Sequence, residues 1–139
     1  LFIIRIWHQS LIPHLPRQQL LGQHRECCAL RGAGWGRKHA TVDYVFTHAP
    51  EYLVAYHRLI MEEMENRGYH PDPIWYNIYW RGSKLQEQRK WCHYSECLRL
   101  WELATVEGFM IFPEHNDEYL QECLDNLADK GIIIEKENL

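Results

Sequence analysis

Residues 50–67 constrain the fold more than any other part of this chain. Pro50 opens the segment and Gly68 closes it. Leu53, Tyr56, His57, Ile60 and Met64 recur between them at the spacing of one helical face. Proline suits the first turn of a helix, and glycine suits its C-terminal cap. Glu62, Glu63 and Glu65 fall mostly on the outward side. An apolar stripe of this kind has to be buried against partners, and further helices supply them. Residues 15–28 read as one helix, with Pro16 in its first turn. Asn116 or Asp117 caps another, whose Leu120, Cys123, Leu124 and Leu127 form a stripe that Gly131 ends. A further helix is expected within 86–103. Pro71 and Pro73 make a turn that leads into the aromatic run Trp75-Tyr76-Asn77-Ile78-Tyr79-Trp80. Periodicity leaves 41–46 open between a short strand and a helical turn. It leaves Ile132-Ile133-Ile134 open between a short C-terminal strand and a cover for the core. The expectation is a mainly α, compact helical fold forming a single domain over 1–139.

At 139 residues the chain can bury a core without disulfide staples. Its five cysteines are an odd number, and Cys27-Cys28 are adjacent on a helix. Reduced thiols and a cytoplasmic location are therefore expected. No apolar run approaches a membrane span, and Leu1-Phe2-Ile3-Ile4 is too short for a signal-peptide core. The chain opens on Leu1 rather than Met, so a trimmed or misplaced start is the expectation. The net charge of −4 hides a gradient, with residues 1–50 basic and 102–139 strongly acidic. Phosphate binding depends on local positive charge, so the basic part can engage DNA despite the acidic end.

The helix at 15–28 has two contrasting sides. At about 100° per residue, Leu20, Leu21, His24, Cys27 and Cys28 share one arc, and Gln18, Gly22, Arg25, Glu26 and Ala29 the opposite one, with Gln19 at its edge. A mid-helix glycine costs about 1 kcal/mol against alanine, so Gly22 calls for a packing or functional reason. Beside Arg25 and Glu26, a missing side chain lets a ligand approach the backbone. Glu26 reads equally as a solvated carboxylate paired with Arg25 or Arg31.

Segment 15–26, the loop Gly34-Trp35-Gly36-Arg37-Lys38-His39 and the turn Asn66-Arg67-Gly68-Tyr69 occur in the order found in the phage endonuclease V family, which the chain resembles. Arg5-Ile6-Trp7-His8 and the stretch from Pro113 to Leu124 are similar to short bacterial relatives of that family. The likeness to those relatives spans most of the chain except 83–103. Likeness to the phage enzyme is confined to the first half and the Arg67-Gly68 turn. The resemblance implies a helical DNA-repair fold and a pyrimidine-dimer DNA glycosylase with abasic-site lyase activity. It implies that Glu26 is the key carboxylate and that the nucleophile is the chain-terminal amine, which the early Arg5 places on Ile4.

A terminal amine suits this role because the nucleophile must be unprotonated. With a pKa of about 7.7–8.0, roughly one terminal amine in ten is neutral at pH 7, against fewer than one lysine in a thousand. The duplex would be gripped by Arg5, Gln18, Gln19, Gly22, Arg25, Arg37, Lys38 and His39, with cations and backbone amides holding phosphates. Each has a plainer reading as solvated surface, and the aromatic run reads either as a stacking platform or as core and lid. The aromatic C-terminal segment of the phage enzyme has no counterpart here. His24 and Cys28 share a face at i, i+4, and Cys92, His93 and Cys97 cluster later. None has the paired spacing of a zinc set, and core packing is the expectation, with no metal or cofactor. The expected partner is duplex DNA carrying a damaged or abasic nucleotide, bound by a monomer. The alternative is a non-catalytic nucleic-acid or protein-binding module on the same fold.

Overall fold

A helix whose apolar stripe is broad enough to be covered from two sides becomes the centre of a helical layer, and α2 (Pro50–Asn66) has this role. In the computed structural model, which describes residues 6–32 and 43–139, α1 (Arg17–Arg31) and α3 (Tyr94–Glu107) both pack on α2. The helix α4 (Asp117–Asp129) adds Leu120, Cys123, Leu124 and Leu127 to the same core. Short 3-10 turns at Gln9–His14, Asp43–Thr47, Pro73–Tyr76 and Lys136–Asn138 connect or end these elements. There is no strand among the described residues, apart from one antiparallel bridge between Trp80 and Glu87.

The five stripe residues read from the α2 sequence are all buried. Gly68 follows the helix at φ +86, in the left-handed conformation glycine adopts most readily. Arg67, just before it, ties the helix end to the segment leading into α1. Its guanidinium donates to the carbonyls of Leu15 at 2.6 Å, Pro13 at 3.1 Å and Ile12 at 3.2 Å, and its Nε donates to Glu63 at 2.8 Å. The Arg67-Gly68 turn is thus a structural clasp.

One expectation shifts its bounds, and two readings left open by periodicity are decided. The helix placed within 86–103 starts only at Tyr94 and runs on to Glu107. Backbone bonds from Arg81 to Gln86 and from Gln88 to Tyr79 hold the preceding residues as a tight loop. Gln86 takes φ 56, which cannot continue a helix. Residues 43–47 form a 3-10 turn. Ile132 and Ile134 pack partly buried against the core while Ile133 is exposed, so this segment covers the core without pairing as a strand. No described helix is long and apolar enough to cross a membrane.

Candidate active site

The buried side of α1 is not the arc that apolarity alone suggests. Leu20, Gln23, Cys27, Leu30 and Arg31 are buried, whereas Leu21, His24 and Cys28 are only half-buried. The core-facing arc is therefore rotated by about 70° from the expected one. The rotation arises because two polar residues, Gln23 and Arg31, occupy the buried stripe. Both find partners there, and neither was nominated from sequence. Their one visible signal is position, since Gln23 falls between Leu20 and Cys27 at three- and four-residue spacing.

Gln23 is 1 % exposed and organises the centre of the site. Its Oε1 accepts from the Trp7 backbone N–H at 2.6 Å and from the Tyr56 hydroxyl at 2.9 Å, which also lies 2.7 Å from the Trp7 carbonyl. Its Nε2 donates to Glu26 Oε2 at 3.2 Å. One amide thus links the N-terminal segment, α2 and the half-buried Glu26 carboxylate. Burial raises the Tyr56 hydroxyl far above its ordinary pKa, which keeps it a donor.

The same N-terminal segment is held from the other side by the C-terminal part of the chain. Tyr119 Oη donates to the Ile6 carbonyl, and His115 Nδ1 accepts from the Gln9 backbone N–H at 3.0 Å. The Gln9 side chain donates to the Phe109 carbonyl at 2.8 Å and accepts from the Ile111 N–H at 2.8 Å. His115 stacks between His8 and Tyr119, with centroids 5.2 and 5.3 Å apart. Because Nδ1 accepts, Nε2 carries the proton and donates to Tyr44 Oη at 2.9 Å. Burial, followed by the neighbouring His8, holds this imidazole at a pKa of about 3, neutral at all ordinary pH.

The face proposed from sequence can now be placed. Gln18 and Arg25 are exposed, while Gln19, Gly22 and Glu26 are half-buried along the flank beside the Gln23 stripe. A Cβ on Gly22 would meet only Arg25 Nη2, at 3.6 Å, so packing does not require the glycine. Ile4, Arg5, Arg37, Lys38 and His39 lie outside the described residues.

Arg31 is fully buried, and it explains the aromatic run. Its guanidinium donates at 2.9 Å to each of the carbonyls of Trp75, Asn77 and Trp80, drawing the loop around the end of α1. It also lies 5.1 Å over the Trp75 ring. Burial lowers its pKa to about 10, so it stays cationic at neutral pH. Its Nη1 lies 3.0 Å from His57 Nδ1, and since guanidinium can only donate, His57 Nδ1 accepts. The His57 proton is then on Nε2, 2.8 Å from His24 Nδ1. Burial and the Arg31 charge hold His57 well below the usual histidine pKa, and burial and the two arginines do the same more mildly for His24. Cys28 Sγ completes a group of three with these rings, where core packing alone had been expected. A separate apolar cavity of about 230 Å³ lies between α2 and α3. It is lined by Arg58, Met61, Trp75 and Tyr76 among others, and it shares no residue with the Glu26 surroundings.

No curated protein and no solved structure matches the chain. A family model described as pyrimidine dimer DNA glycosylase matches residues 4–77, a span holding α1, α2, Gln23, Glu26 and the Arg67-Gly68 clasp. That match covers more than half of the sequence, and the chain belongs to the pyrimidine dimer DNA glycosylase family.

Proposed function

We propose that the protein is a pyrimidine-dimer DNA glycosylase with abasic-site lyase activity. In this reading the α-amine of a chain starting at position 4 is the nucleophile, and Glu26 is the acid/base. The observation that carries the reading is the link from Trp7 through Gln23 to Glu26. Position 4 precedes Trp7 by three residues, a span of at most about 10 Å at roughly 3.3–3.6 Å per residue. That span is short enough to allow an amine there to meet the same carboxylate.

In the reaction the neutral amine attacks C1′ of the damaged nucleotide. The glycosidic bond breaks, and the base leaves with the bonding pair and takes up a proton. The sugar ring opens at O4′, which is protonated, leaving an imine between C1′ and the chain end. Glu26 then removes a proton from C2′, and the C3′–O bond breaks with departure of the phosphate. Water hydrolyses the imine and frees the amine. Arg5, Gln18, Gln19, Gly22, Arg25, Arg37, Lys38 and His39 hold the duplex. Exposing C1′ requires distortion of the stack, which costs a few kcal/mol and less at a lesion.

The strongly acidic segment 102–139 favours the competing reading, a non-catalytic binding module on this fold. Borohydride trapping on duplex DNA with one abasic site separates the two. A chain starting at position 4 should form a covalent adduct that amine acetylation removes, while Glu26→Gln should leave the adduct and block strand cleavage. Retained DNA binding without an adduct defeats the enzymatic reading.

A further inference from the structure

The three side chains at the crossing of α1 and α2 form a pattern that neither DNA chemistry nor simple core packing uses. His24 and Cys28 stand one helical turn apart on α1, and His57 meets them from the inner stripe of α2. His24 Nδ1 and His57 Nε2 are 2.8 Å apart. Cys28 Sγ lies 3.9 Å from His57 Nε2 and 3.8–3.9 Å from the two ring nitrogens of His24. One ligating atom from each residue falls within 4.8 Å of the others. In a tetrahedral zinc site, with bonds of about 2.0–2.1 Å to nitrogen and 2.3 Å to sulfur, ligand atoms sit roughly 3.3–3.7 Å apart. The two imidazoles need to open by only about half an ångström, and the thiol to close by a few tenths, to reach that geometry.

We propose that His24, Cys28 and His57 bind one thiophilic closed-shell metal ion, zinc(II) or copper(I), that cross-links α1 to α2. Two imidazole nitrogens and a thiolate form a soft donor set, which favours these ions over magnesium, calcium or manganese. His24 and Cys28 are half-buried, so the ion has a route in, while the fully buried His57 anchors the inner wall. The charges around the site are Arg31 on its inner side, Arg25 on α1 and Asp72 from the loop after α2. Arg31 opposes a cation, whereas Asp72 and the Cys28 thiolate favour one. The monovalent ion therefore meets the smaller repulsion. The ion displaces the Cys28 thiol proton and the His57 Nε2 proton to solvent, so His57 ligates as an imidazolate whose Nδ1 still accepts from Arg31. Because it binds the folded chain, it raises stability by mass action without touching Glu26.

The test uses the full-length chain stripped of metal by chelation. Cobalt(II) serves as a spectroscopic stand-in for zinc, and zinc(II) and anaerobic copper(I) are titrated in separate arms against a chromophoric chelator. The proposal expects one equivalent bound in at least one of those arms. It also expects a thiolate-to-cobalt charge-transfer band, a Tm raised by the bound ion, and at least tenfold weaker binding in Cys28→Ser and His24→Gln. Stoichiometric zinc binding with a cobalt spectrum lacking the thiolate band overturns it even if neither variant folds. So does failure of both ions to bind stoichiometrically, or equal affinity in folded Cys28→Ser.

Discussion

The Gln23 amide oxygen lies 2.6 Å from the Trp7 backbone nitrogen, buried where α1, α2 and the N-terminal segment meet. Replacing Gln23 with Leu keeps much of the volume but strips the acceptor from Trp7 N–H. It also removes the donor to Glu26. A buried donor left unpaired costs about 1–3 kcal/mol, and urea unfolding of Gln23→Leu should show a loss in that range or above. In the proposed reaction, imine trapping should slow further than DNA binding weakens, since Trp7 loses its tie to Glu26 through Gln23. A variant with native stability would show that the amide is not the organising group.

Gly22→Ala should act in the opposite direction on stability. The added methyl has room, meeting only Arg25 Nη2, and alanine gains about 1 kcal/mol over glycine inside a helix. A higher Tm together with weaker binding of abasic DNA would mean that the glycine is kept for close approach of the strand. If binding rises along with Tm, this flank is not the DNA face.

Acid should destabilise the fold earlier than its carboxylates require. An unfolded histidine takes up a proton near pH 6.5, while folded His115 does so only at about pH 3. Between these values the unfolded state binds the extra proton, so stability falls as pH drops through that window. The slope is about 1.4 kcal/mol per pH unit for this residue. His115→Gln can still accept from Gln9 and donate to Tyr44. Urea unfolding at pH 7, 6 and 5 should show a shallower decline in that variant, and an unchanged decline would remove His115 as its source.

Arg31→Lys keeps the charge but loses the planar fork that serves three carbonyls. Loss of about 2–3 kcal/mol is expected, along with faster amide exchange at 75–81, whose carbonyls at 75, 77 and 80 this side chain gathers. Exchange left unaltered across those residues would show that the loop holds itself.

Much of the helical plan was legible in the sequence, because it depends on periodicity and on proline, asparagine and glycine at helix ends. Pro50, Gly68, Asn116 and the stripes of α2 and α4 all follow from such local rules. The rotation of α1 was not legible, because it depends on tertiary partners for Gln23 and Arg31 that lie 16 to 49 residues away. The late start of α3 depends on a loop closed by backbone bonds between residues 79–81 and 86–88. At the candidate site, Glu26 was nominated through the family resemblance, and its connection to Trp7 through Gln23 emerged only in three dimensions. His57 was read as core, which it is, but its junction with His24 and Cys28 needed the helix crossing.

The grip on residues 6–9 has a practical consequence. One jaw, Gln23 and Tyr56, lies within the family-matched span, and the other, Phe109, Ile111, His115 and Tyr119, lies far beyond it. Trimming the protein to residues 4–77 would leave its opening segment clasped from one direction only. Anyone seeking a minimal version of this protein must keep residues 6–9 together with 109–119.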